Sequence, residues 1–309
     1  MMDHSDTMSV KDSHVRRVLV IATHAFTQLV RMKVFYFLAI FAVIAIGSNF
    51  FNLPQHEGPE SAGTEVLRSI KSWSLGAMTL FSVVISIVAT ALLLPKDVED
   101  RTLYTILAKP VPRIDYLAGK LLGVMMLVFV SLLLMDVLMT AVLHIRTSMV
   151  LDQRVAYATE LGWPQEAIDS MAAEVNAMGS TWSLQGAVLA VFLRASIMAS
   201  LALLVSTFST STLFTATVSF LIYFIGHFQA DARDAYLHVG EVGQGLVAKL
   251  VTLLVTLVLP DFQLFNVIDA VIEGQVIPLV TMGKLVLVAL YYALFFTIAS
   301  WFVFSDKEF

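Results

Sequence analysis

Residues 73–94 read WSLGAMTLFSVVISIVATALLL, an apolar run without one Asp, Glu, Lys or Arg. As an α-helix rising about 1.5 Å per residue it is roughly 33 Å long, enough to cross a hydrocarbon slab about 30 Å thick. No face of that helix is charged, so it does not suit the surface of a water-soluble core. Its reading sets the fold class, because similar runs return at about 34–51, 121–143, 184–206, 213–228 and 285–304. Together they predict an all-α integral membrane protein with six transmembrane helices. Composition agrees: 58% of the 309 residues are hydrophobic and 14% charged, with a mean hydropathy of +0.82. A soluble chain is about a quarter charged.

What flanks the spans gives the organisation: a cytoplasmic tail over 1–33 and a transmembrane domain over 34–309. In the tail, Val15, Val18, Leu19, Ala22, Phe26, Leu29 and Val30 share one face of a helix over 12–31. Arg16, Arg17, Thr23, Thr27, Gln28 and Arg31 share the other. A basic amphipathic helix just before a span is expected to lie against membrane lipid in the headgroup plane; a cytosolic helix on a partner protein is the alternative. The first apolar run begins near Val34, too late for a signal-peptide core, so no cleaved leader is expected. In 242–260 only Leu250–Leu259 is strongly apolar, and Pro260 ends it. That length suits a re-entrant or interfacial helix better than a crossing.

Charge placement orients the chain. Lys11, Arg16, Arg17, Arg31 and Lys33 precede the first span, and Lys96, Arg101, Lys109, Arg113 and Lys120 crowd the 95–120 loop. The loops at 52–72, 144–183 and 229–284 carry Arg68, Lys71, Arg146, Arg154, Arg233, Lys249 and Lys284, spread over far more chain. The positive-inside rule then places both termini and the 95–120 loop in the cytoplasm and the other three loops outside. In the 144–183 loop, Pro164 suits the first position of a short helix that continues over Ala167–Ala177.

The 95–120 loop, PKDVEDRTLYTILAKPVPRIDYLAGK, is the stretch richest in mixed charge. A helix from about Asp97 to Ala108 would bring Leu103, Ile106 and Leu107 together, and Pro110 and Pro112 must end it. A bent, charged helical elbow beneath a bilayer has the shape of a docking surface; a solvated connector is the plainer reading. Within the spans only Asp136 and Arg194 are clearly charged, each at an insertion cost of about 2.5–3.5 kcal/mol. They fall on consecutive antiparallel spans, so an ion pair between them is open, as a helix clamp or as a substrate contact. There is no cysteine, and the seven histidines show no ligand spacing. No catalytic or metal site is therefore expected, and no nucleic-acid partner. Gly119-Lys120 and Gly283-Lys284 lack the upstream glycine and the Ser/Thr of a phosphate cradle.

The mixed-charge cluster followed by Arg101-Thr-Leu-x-x-x-Leu-Ala-Lys-Pro-Val-Pro-Arg-x-x-Tyr-Leu-x-Gly-Lys120, between the second and third spans, resembles the permease subunits of ABC-2-type transporters. The turn Leu259-Pro-Asp-Phe-x-x-Phe-Asn266 and the tail ending Lys307-Glu-Phe309 are similar to that family as well. Where the family commonly has Gly-Thr, this chain has Arg101-Thr102. The resemblance implies an ABC exporter permease of the bacterial inner membrane, which forms a dimer with itself or a paralogous permease. It further implies that Asp97, Glu99, Asp100, Arg101, Leu103 and Leu107 couple to an ABC ATPase subunit. ATP and Mg²⁺ would bind that partner, and no cofactor this chain. The alternatives are a membrane scaffold or sensor that docks an ATPase without transport, and an ion-coupled secondary transporter.

Overall fold

The computed structural model describes residues 4–32, 63–99, 112–209, 211–239 and 258–305, with isolated helical positions between 36 and 47. The described chain is helical: α1 His4–Val30, α2 Thr64–Glu99, α3 Arg113–Glu160, α4 Gln165–Met178, α5 Trp182–Phe208, α6 Thr212–Val239, α7 Ile268–Ile272 and α8 Leu279–Ser305, with a 3-10 turn at Gln263–Phe265. Five of these, α2, α3, α5, α6 and α8, contain stretches long and apolar enough to cross a membrane. They contain the expected runs at 73–94, 121–143, 184–206, 213–228 and 285–304. The expected first span, 34–51, lies almost wholly outside the described residues, as do 242–257.

α5 is the axle of the bundle. It packs against α2, α3, α6 and α8, and every residue from Leu193 to Leu203 is buried. A helix apolar on all sides belongs inside a bundle, and small residues at Ala195, Ser196, Ala199, Ser200 and Ala202 let the neighbours come close. α8 lies on the rim. Leu285, Ala289, Tyr292, Phe296, Ser300 and Phe304 recur every three or four residues on its buried face. Its other face presents Leu287, Leu290, Leu294 and Ile298 outward.

Two features depart from the expected organisation. The segment expected as the beginning of an outer loop is helical, because α3 runs unbroken for 48 residues to Glu160, about 72 Å at the helical rise. α4 then folds back on it, so most of 144–183 is a helical hairpin. The run of α2 likewise continues past Leu94 to Glu99. The second departure is in the non-helical turn at 259–266. Its partners are Arg194, twelve residues into α5, and Tyr292, thirteen into α8, so it sits about 18–20 Å along those helices. α7 climbs back to Lys71 near the start of α2. Residues 259–272 thus turn back toward the head of α2, while the re-entrant or interfacial helix expected over 242–260 lies almost wholly outside the described residues.

Candidate functional site

Residues 100–111, between α2 and α3, lie outside the described residues, and the side chains at the head of α3 are bound on two sides. Pro112 stands at the helix N-cap. Arg113, the first helical residue, reaches the end of α8, where its Nη1 donates to the carbonyls of Phe304 and Ser305, both at 2.7 Å. The last carbonyls of a helix have no partner of their own and carry its negative end, so a guanidinium is a fitting cap. The same group lies 5.8 Å from the Phe304 ring centroid, and the buried Tyr116 stacks on that ring at 6.2 Å.

On the opposite side Asp115 receives α1. His14 Nδ1 lies 2.9 Å and Arg17 Nε 3.0 Å from Asp115 Oδ2. One turn on, a β-carbon at Gly119 would lie 2.7 Å from Ile21 Cβ and 3.0 Å from the Val18 carbonyl. A further turn on, one at Gly123 would lie 2.7 Å from Ala25 Cβ and 2.8 Å from the Ala22 carbonyl. Residues 115, 119 and 123 therefore meet 14/17, 18/21 and 22/25 in step, and α1 runs parallel to the head of α3 at backbone contact. Only glycine allows that approach. Ala22, Ala25 and Leu29 are buried in the seam. Val15, Leu19 and Val20 remain exposed beside Arg16 and Thr23, so the expected apolar face is divided between protein and surroundings.

The expected coupling residues are only partly within view. Asp97 and Glu99 stand in the last turn of α2 with their side chains outside the described residues, and Asp100, Arg101, Leu103 and Leu107 lie outside them altogether. The helix expected from Asp97 to Ala108 is described only to Glu99, as a continuation of α2.

Asp136 and Arg194 are not brought together, and the expected ion pair is corrected. Asp136 Oδ1 accepts from Gln185 Nε2 at 3.2 Å. Arg194 lies nine residues deeper than Gln185 on α5, about 13 Å along the axis. There its Nη2 donates to the Phe262 carbonyl at 3.2 Å. The surrounding bonds complete a pattern. Phe262 N donates to the Gly226 carbonyl at 3.2 Å, Tyr292 Oη to the Leu259 carbonyl at 3.2 Å, and Gln263 Nε2 to the His227 carbonyl at 2.8 Å. Non-helical backbone at membrane depth is tolerated only when protein groups satisfy it, and Arg194 and Tyr292 do so here. Gly226 admits the turn, since a β-carbon there would lie 2.6 Å from Phe262 Cδ2.

The sequence marked Arg17 and Arg113 as basic residues of the tail and the 95–120 loop without giving them partners, and it singled out neither His14 nor Asp115. Gly119-x-x-x-Gly123 was a readable signal, being the small-residue spacing at which helices touch. Lys71 was counted with an outer loop, yet it is fully buried and its Nζ donates to the Val271 carbonyl at 3.3 Å.

No curated protein matches the chain. A family model described as ABC-2 family transporter protein matches residues 19–230, which run from mid-α1 into α6 and cover more than half of the chain. With its apolar helices, that match makes this a multi-pass membrane protein, and the chain belongs to the ABC-2 family of transporter proteins.

Proposed function

We propose that this chain is the permease subunit of an ABC exporter in the bacterial inner membrane. ATP is hydrolysed on a separate ATPase subunit seated under the 95–112 elbow, and the permease works as a dimer with itself or a paralogue. The observation that carries the reading is the junction at the head of α3. There Arg113 grips the end of α8 and Asp115 grips α1. A push on the head of α3 therefore acts on α1, α3 and α8 together. The ion contacts and the glycine seam hold those helices as one body, so they would tilt together rather than slide apart. Export follows when that tilt opens the bundle to the outside.

Two measurements test the reading. Reporter fusions at Lys109 and after Phe309 should report cytoplasm, and one at Asp152 the outside. The chain purified alone should hydrolyse no ATP, whereas membranes that also contain its ATPase should give hydrolysis that rises with added substrate. ATP hydrolysis equal with and without the permease, under all substrates tried, would contradict it.

A further inference from the structure

The seam between α3 and α5 carries a charge that no step of coupling uses. Asp136 on α3 is partly exposed and stands seven residues before Leu143, about 10 Å inside the outer end of the apolar run. Gln185 Nε2 on α5 donates to its Oδ1 at 3.2 Å, but a neutral amide leaves the charge of a carboxylate in place. Among the described residues no Lys, Arg or His forms an ion pair with it. A charge at that depth is costly unless one of opposite sign comes to it.

Two turns deeper on the same seam stands an aromatic pair. Phe129 and Phe192 meet edge to face with ring centroids 5.8 Å apart. Phe129 lies seven residues before Asp136 on α3, and Phe192 seven after Gln185 on α5, which runs the other way. Seven residues bring a helix back to nearly the same face, about 10 Å along its axis. The aromatic pair therefore lies in line with the polar pair and deeper in the bundle. Between them Leu133 and Leu189 are exposed, and Phe129 is 53% exposed. The seam thus presents a carboxylate at one end and an open apolar strip leading inward from it. From the geometry we infer that it binds a lipophilic cation, an ammonium or phosphonium centre beside Asp136 with its apolar body laid along Leu133, Leu189 and Phe129. A small hydrated cation gains nothing from the strip, and an anion meets like charge. A lipid ammonium is held by its own phosphate in the headgroup layer, some 10 Å away. As cargo such a cation deepens the exporter reading and rests on it; as a bound ligand it does not.

The test is equilibrium dialysis of labelled tetraphenylphosphonium against the full chain in maltoside micelles, with uptake by empty micelles subtracted. Tetraphenylborate has the same shape and the opposite charge, and tetramethylammonium has the charge without the apolar body. Each should bind about tenfold or more weakly than the phosphonium. Asp136→Asn keeps an acceptor for Gln185 and should weaken the phosphonium about tenfold, and Phe129→Ala about threefold, both in protein that melts cooperatively. Phosphatidylethanolamine added to the micelles should not compete; competition would overturn the solute in favour of a lipid. In membranes that also contain the ATPase, the phosphonium should raise hydrolysis by the wild type and not by Asp136→Asn. Permease-dependent hydrolysis indifferent to the cation would overturn it as cargo and leave the exporter reading intact. No binding up to about 1 mM, equal binding of the borate, or affinity unchanged in Asp136→Asn would overturn the site.

Discussion

Arg194 on α5 and Phe262 in the re-entrant turn are joined by a 3.2 Å hydrogen bond from Nη2 to the backbone carbonyl. The bond gives a reason for a buried arginine in a span whose neighbours are all apolar or small. Taking the guanidinium away leaves a buried carbonyl without its partner, at a cost of about 1–3 kcal/mol. Arg194→Met should lower the thermal stability of the purified protein by that amount, and Tyr292→Phe, which frees the Leu259 carbonyl, by about 1 kcal/mol. Asp136→Asn combined with Arg194→Met should give additive losses, since the two residues have separate partners. Mutual rescue in the double variant would restore the ion pair rejected here.

The glycine seam makes a contrast within one residue type. Gly119→Ala and Gly123→Ala each force a β-carbon to within 2.7 Å of an α1 side chain. Each should destabilise the fold by about 1–3 kcal/mol and loosen α1. At Gly76 a β-carbon would meet nothing within 4 Å, so Gly76→Ala should be neutral or slightly stabilising. Melting curves of the three variants check this; equal losses at all three would remove the close approach of α1 to α3.

Asp115 tests the same seam through charge. Its carboxylate is buried and serves both His14 and Arg17. Asp115→Ala should weaken the seam by about 1–2 kcal/mol, at the lower end of charged hydrogen bonds because both partners are partly exposed. Trypsin should then cut faster after Arg16 and Arg17. His14→Ala, which leaves the Arg17 contact in place, should change the rate less.

Five of the expected spans were legible because length and hydropathy are decided within one segment: an apolar run of sufficient length needs no knowledge of its neighbours. Pro164 announced α4 in the same local way. The continuation of α3 over 144–160 was not legible, since a polar helix in water has no hydropathy signature. Arg194 and Asp136 were paired on sequence because adjacent antiparallel spans suggest equal depth. Depth depends on register, and Gln185, not Arg194, faces Asp136. The same limit hid Asp115 and Arg113, whose partners lie about a hundred and nearly two hundred residues away in the chain.

The central claim is that an ATPase drives this bundle through the elbow, and association measured on elbow variants tests it most directly. The chain is tagged, extracted from membranes that also contain its ATPase, and the ATPase retained is quantified. Asp97→Lys, Glu99→Lys and Asp100→Lys together, or Leu103→Ala with Leu107→Ala, should lose most of the retained ATPase. Membrane levels and melting temperature should stay normal, because insertion is decided by the spans. Undiminished retention by both variants at normal membrane levels would contradict the coupling assignment and favour a subunit that works without it.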